Sequence, residues 1–227
     1  MKKIFFAFAA IALLFACKAE NKDEAKSKVP EGAVDLGIVM TRADGTTYKL
    51  YWAKSNLGEN GLCDNPEDYG VYYAWGETKT KSDYSWSTYK FGTSETGPFS
   101  KYTGTDGKTV LDPEDDVAHL KLGGKWRMPT REEWEALKSQ CDFNAYSGKV
   151  TCYLFIGPNG NTIMLPFSGS REGSELEGEK DFCCYWSSSF YPDYPSGASM
   201  FNFSSNGGNG MSVIDRYHGF SIRPVTE

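Results

Sequence analysis

Gly123-Gly124-Lys125-Trp126-Arg127-Met128-Pro129-Thr130-Arg131-Glu132-Glu133-Trp134 is the passage from which the rest of the chain can be read. Thr130 followed three residues later by Glu133 has capping-box spacing. The threonine hydroxyl takes the Glu133 amide, and the Glu133 carboxylate reaches back to the Thr130 amide. A helix therefore starts at Arg131, with Trp134, Leu137 and Cys141 on one face. A second short helix is expected just upstream. There Asp112 stands as N-cap and Pro113 at the first position, with Glu114, Asp115 and Asp116 in a first turn that suits the helix macrodipole.

Outward from these helices the pattern is one of short strands and turns, in keeping with 15% aromatic residues and 24 glycines. Residues 34–38 and 48–53 read as strands around the Ala43-Asp44-Gly45 turn, and 60–69 as a turn-rich loop. Residues 71–75 read as an aromatic strand. Residues 76–108 form a long loop, which Tyr84, Trp86, Tyr89 and Phe91 give something to pack with. Segments 153–156 and 162–167 flank Gly157-Pro158-Asn159-Gly160-Asn161, a strong hairpin turn. Residues 184–190, 198–203, 211–214 and 219–225 are further strand candidates. The fold class is α+β: two short helices against a small mixed, mainly antiparallel sheet with long loops. Residues 33–227 form a single domain.

The order of several motifs resembles one family. Val34-Asp35-Leu36-Gly37 comes first, then Pro66-Glu67-Asp68-Tyr69-Gly70 and Tyr73-Ala74-Trp75-Gly76-Glu77. Asp115-Asp116-Val117-Ala118-His119 and Gly123-Gly124-Lys125-Trp126-Arg127 follow, with Met128-Pro129-Thr130 and Glu133-Trp134 next. Tyr185-Trp186-Ser187-Ser188-Ser189 and Gly219-Phe220-Ser221-Ile222-Arg223-Pro224-Val225 complete the series. This pattern resembles the Fibrobacter succinogenes major paralogous domain of Bacteroidetes lipoproteins, which is related to the formylglycine-generating enzymes. The resemblance spans nearly all of residues 33–225 and implies a C-type-lectin-like domain. It also implies that His119 satisfies a buried hydrogen bond. The molecular function of the family is mostly unassigned, so the resemblance implies a fold more than an activity.

The N-terminus points to export. Lys2 and Lys3 precede an apolar run from Ile4 to Phe15, too short to span a membrane at ~20 residues. The run ends in Leu14-Phe15-Ala16-Cys17, which resembles the lipobox of bacterial lipoproteins. Residues 1–16 are thus expected to be a signal peptide and Cys17 the lipidated first residue, joining the chain to a membrane through its acyl chains. Residues 17–32 form the lipidated cysteine and a flexible charged tether. Glu20, Asp23 and Glu24 resemble surface-export signals, so the expected location is the outer membrane, lipid-anchored, at the cell surface. The formal net charge of -6 becomes -8 without Lys2 and Lys3. An acidic chain without a basic run argues against nucleic acid and anionic lipid surfaces. Apart from Cys17, five cysteines (Cys63, Cys141, Cys152, Cys183 and Cys184) cannot all pair internally. Cys183 and Cys184 can be two buried thiols, ends of two bridges or a vicinal disulfide.

No catalytic constellation stands out. The cluster Asp112, Glu114, Asp115 and Asp116 offers oxygen ligands for calcium, but it lacks the spacing of a calcium loop and equally serves a helix N-terminus. His119 and His218 are the only histidines. The related oxidases bind copper through paired cysteines, and the adjacent Cys183-Cys184 departs from their spacing. The segment 185–218 is more than half Tyr, Ser, Gly and Asn, the residue types of antibody paratopes and equally of turns. Alternation along 198–204 buries Phe201 and Phe203 and turns Met200, Asn202 and Ser204 the other way. The candidate ligand-binding residues are Tyr191, Asp193, Tyr194, Ser196, Met200, Asn202, Ser204, Asn206 and Asn209. The expected function is non-enzymatic: a monomeric surface protein that binds a glycan or a host or neighbour protein. The alternatives are an assembly component using loop 76–108 as its contact and, behind it, an oxidase.

Overall fold

The computed structural model describes residues 28–205 and 207–227. Strands β1 (Ala33–Thr41) and β2 (Thr47–Ala53) form an antiparallel hairpin. Asp44 closes its turn by accepting from the Thr46 amide and hydroxyl at 2.9 and 2.7 Å. A short pair follows, β3 (Leu57–Gly58) and β4 (Gly61–Leu62). Residues 71–75 correct the expectation of a strand. Tyr73 makes only an isolated bridge to Phe220, and the Trp75 amide bonds the Arg216 carbonyl at 2.9 Å. Side-chain anchors hold this buried segment where a ladder is absent. The Tyr72 hydroxyl donates to Ser168 O at 2.6 Å and the Trp75 indole to Ser187 O at 2.9 Å.

Both helix starts carry information, and one was misread. Residues Pro113–Asp115 form a single 3-10 turn, and Asp112 makes no capping bond. Its carboxylate is held by Lys101 and Lys108, each at 2.6 Å. Helix α1 (Val117–Leu122) is capped by Asp116, which accepts from Ala118 N at 2.9 Å and His119 N at 3.0 Å. Its other oxygen takes Met128 N at 2.8 Å. Helix α2 (Arg131–Gln140) carries the expected capping box in full. Glu133, 1% exposed, also receives both arms of Arg127 at 2.6 Å and the Tyr48 hydroxyl at 2.9 Å. One carboxylate thus starts the helix and ties it to β2.

A meander follows: β5 (Asp142–Ser147), β6 (Thr151–Ile156) and β7 (Thr162–Pro166). The β6–β7 turn is the expected Gly157–Asn161 loop, and it presses on β1. A Cβ on Gly157 would lie 2.1 Å from Leu36 O, and Asn159 and Asn161 both donate to Asp35 O. Strands β8 (Ser170–Glu172) and β9 (Glu175–Glu177) make a small hairpin. The third sheet is β10 (Phe182–Phe190), β11 (Gly197–Ser204) and β12 (Asn209–Asp215). The chain ends in β13 (Val225–Thr226), which returns to β2. Residues 219–224, expected to be strand, make isolated bridges to Arg171, Tyr73 and Tyr185 instead.

The architecture is therefore mainly antiparallel, with two α-helices among the described residues, and it divides into several small sheets rather than one. The β10–β11–β12 sheet lies between two cores. Cys183, Tyr185, Phe201 and Phe203 face a cluster containing Trp52 and Trp134, where Trp134 stacks on Phe201 at 4.8 Å. Cys184, Trp186, Ala198 and Met200 face the other, with Trp75, Tyr102 and Phe190. The long loop 76–108 supplies Tyr84, Tyr89, Phe91 and Tyr102 to this second core, all buried. It is ordered by packing, as expected, and those aromatics are unavailable as an assembly contact.

Candidate functional site

The eight described candidate residues do not form one face. Strand β11 has eight residues, about 23 Å of extended chain. Tyr191, Asp193, Tyr194 and Ser196 lie at its start, and Ser204 and Asn209 at its far end. Asn206 and the lipidation candidate Cys17 lie outside the described residues. Met200 does point away from Phe201 and Phe203, as alternation requires. It is nonetheless 4% exposed, because the sheet has core on both sides and no solvent face there. Ser196 is 2% exposed, since its carbonyl holds the Arg216 amide at 3.0 Å behind the loop. Met200 presents no surface to a ligand in this arrangement, and Ser196 almost none.

At the far end, Asn202, Ser204 and Asn209 line an open depression of about 510 Å³ with Phe182 and Met211. At the near end, Tyr194 and Ser196 border a depression of about 610 Å³ whose other wall is Glu95, Thr96, Phe99 and Thr103 from the long loop. The near loop is tightly built. Tyr194 N bonds Tyr191 O at 3.1 Å and Gly197 N bonds Tyr194 O at 2.8 Å. Gly197 must lack a side chain, because a Cβ would sit 2.4 Å from the Tyr194 ring. Tyr191 and Tyr194, each 38% exposed, are among the few large apolar side chains at the surface.

The Tyr194 hydroxyl stands between Glu95 Oε1 at 3.1 Å and Asp215 Oδ1 at 3.0 Å. A phenol has one proton to donate, so two carboxylates share it and retain acceptor capacity. A hydrogen bond involving Ser196 pulls the Tyr194 pKa down, and burial with the Asp215 and Glu95 carboxylates outweighs it, leaving the phenol above its ordinary value. Chemically, this end offers the exposed Tyr194 ring beside two carboxylate acceptors, with Tyr191 exposed on the same loop. Glu95, Phe99 and Asp215 were not anticipated. They come from a distant loop and the end of β12, and no local pattern marks them.

The other candidates resolve into structural roles. The Lys101 ammonium sits among Asp112, Glu114 and Asp115 at 2.6, 2.9 and 2.5 Å, where a cation bound by those three carboxylates would lie. Burial alone would raise the Asp115 carboxyl. Hydrogen bonds from Lys101, Lys90 and Tyr102 more than offset it, so its pKa falls below 3.8. Asp116 is apart from this group, at the cap of α1. His119 Nδ1 lies 3.2 Å from Trp126 O, and because a carbonyl only accepts, Nδ1 carries the proton. His218 stacks on Tyr217 with ring centroids 4.3 Å apart, and burial lowers its pKa.

All five described cysteines are free thiols, two of them the adjacent pair. Cys183 and Cys184 are successive on β10 and so face opposite cores; their sulfurs cannot converge on one metal ion. Burial raises every one of these thiols, Cys141 to about 11 and Cys184 to about 12, which suppresses the reactive thiolate at neutral pH. Comparison of the chain with protein-family models, curated proteins and solved structures finds no match. No helix among the described residues is long and apolar enough to cross a membrane.

Proposed function

We propose that this chain is a lipid-anchored outer-membrane surface protein whose C-type-lectin-like domain binds a glycan, without catalysis. The glycan lies in the depression between residues 191–196 and the long loop. The observation that carries this reading is the exposed Tyr194, its hydroxyl held between the carboxylates of Glu95 and Asp215, with Tyr191 exposed on the same loop. Aromatic faces stack on the apolar side of a sugar ring, and carboxylates accept from its hydroxyls. A depression of about 610 Å³ falls within the range of small-ligand sites. The lipobox-like Cys17 and the charged tether after it support display at a membrane surface.

The test is a glycan array probed with the full-length protein, with calcium and then with chelator. Binding that survives chelator and falls about tenfold or more in Tyr191→Ala and Tyr194→Ala is the expected outcome. Binding lost instead in Asn202→Ala and Asn209→Ala would move the site to the far end of β11. A well-folded protein that retains no glycan would overturn the reading. An assembly role has one observation in its favour. Strand β5 is an edge strand exposed along nearly its whole length, with Tyr146 at 46%, and exposed edges pair with other chains.

A further inference from the structure

Two arginines, Arg216 and Arg223, are wholly buried, each at 0% exposure. Arg223 is satisfied: Nε donates to Asn56 Oδ1 at 2.9 Å, Nη1 to Ala53 O at 3.0 Å and Nη2 to Met164 O at 2.5 Å. Neutral acceptors complete its fork, and its role is structural. Arg216 differs. Its Nη1 reaches Tyr102 O at 3.2 Å and Lys101 O at 3.5 Å, while Nε and Nη2 have no hydrogen-bond partner. The carboxylate that acts on it, Asp106, is itself engaged by the amides of Tyr102, Thr103 and Lys108. Buried donors without partners are rare in proteins and call for an explanation.

The position of Arg216 supplies one. Its amide bonds Ser196 O, its Nη1 bonds the carbonyl of Tyr102, the neighbour of Thr103, and its guanidinium carbon lies 4.3 Å over the Phe99 ring. Ser196, Thr103 and Phe99 all line the near-end depression, so the guanidinium stands directly behind its wall. Phe99 is half-buried and rests against the bare backbone of Gly92, where a Cβ would lie 2.5 Å from the ring. Phe99 thus lines the depression and covers one face of a guanidinium whose Nε and Nη2 are unpartnered, and which the rings of Trp75, Tyr89 and Phe190 approach within 5.7 Å from the core.

The geometry points to Arg216 as the anchor for a carboxylate on the ligand, so that the glycan bound beside Tyr194 is an acidic one, carrying a uronic-acid-type carboxyl that reaches Arg216 when Phe99 swings aside. This inference rests on the glycan reading above and narrows it. Planar guanidinium and carboxylate match in a two-bond fork. Glu95 and Asp215 at the rim repel a free anion. A carboxylate enters only as part of a sugar whose hydroxyls those two residues hold, and it reads Arg216 at the back.

The experiment titrates the full-length protein with fragments of alginate, polygalacturonate and hyaluronate, each beside its carboxyl-reduced counterpart. The expected result is that at least one acidic fragment binds about tenfold or more tighter than its reduced form. Phe99→Ala, which removes the cover, should widen that ratio, and Arg216→Met should bring it to one. If Arg216→Met does not fold, Phe99→Ala decides alone: an unchanged ratio there overturns the inference. Equal binding of acidic and reduced forms overturns it too, while leaving the glycan reading standing. Binding of neither form, by a protein that also fails the glycan array, removes the glycan reading and this inference together.

Discussion

Tyr194 joins the long loop to the end of β12 through a single hydroxyl, and its ring and its hydroxyl have separable roles. Tyr194→Phe keeps the face and removes the shared proton; Tyr194→Ala removes both. If the ring carries binding, the Phe variant should stay within about threefold of wild type in glycan affinity and the Ala variant should lose about tenfold, near 1.4 kcal/mol. Equal losses would show that the ligand reads the Glu95–Tyr194–Asp215 arrangement rather than the aromatic face. Legibility at this scale was uneven. Tyr191 and Tyr194 were picked from composition, and both are exposed. Met200 and Ser196 came from the same composition and are buried, because a residue type does not say which side of a sheet meets water.

At the scale of elements, the start of α1 shows how a tertiary partner redirects a local signal. Asp112-Pro113 has the letters of a helix start, but lysines from the long loop occupy the Asp112 carboxylate and the cap passes to Asp116. Lys101, with Lys90, also holds Asp115 and makes the turn sensitive to acid. Asp115 has a depressed pKa in the folded protein, so its contribution is complete above the unfolded value of about 3.9 and is lost as pH falls through the folded value. Asp115→Asn should therefore lower stability at pH 7 by about 1–3 kcal/mol, measured by urea unfolding, and the two proteins should converge in acid. A gap of constant size down to low pH would assign the cost to packing instead. The start of α2 was read correctly because each of its capping partners lies within four residues. Strand β5 escaped notice because it is mostly exposed and its alternation, Phe143 and Ala145 between polar residues, is too short to stand out.

For the whole molecule, the decisive feature is the sheet that separates the two cores. Met200→Ala should cost about 2–4 kcal/mol, as for other buried large-to-small changes. Asn202→Ala, two residues along the same strand face but half-exposed, should stay within about 0.5 kcal/mol. Similar costs at both positions would mean that the Met200 face is not core. The thiols test the same picture. In the folded protein at neutral pH an alkylating reagent should modify Cys63 slowly, and Cys141, Cys152, Cys183 and Cys184 only after unfolding, as peptide mass mapping would show. Rapid native labelling of Cys184 would contradict its place in the core.

By itself the sequence determined what short-range chemistry can specify. It identified the capping box at Thr130 and Glu133, the Gly157–Asn161 hairpin, the aromatic packing of the long loop and the alternation that buries Phe201 and Phe203. These depend on residues a few positions apart, whose spacing along a helix or strand is fixed. Tertiary structure decided that β10–β12 has core on both faces, that the candidate residues divide between two ends of β11, and that Glu95, Phe99 and Asp215 stand beside Tyr194. It also left the Arg216 guanidinium behind that site with free donors. Those outcomes turn on which distant segments meet, and contacts between residues 99 positions apart, such as Glu95 and Tyr194, leave no periodic mark in either segment.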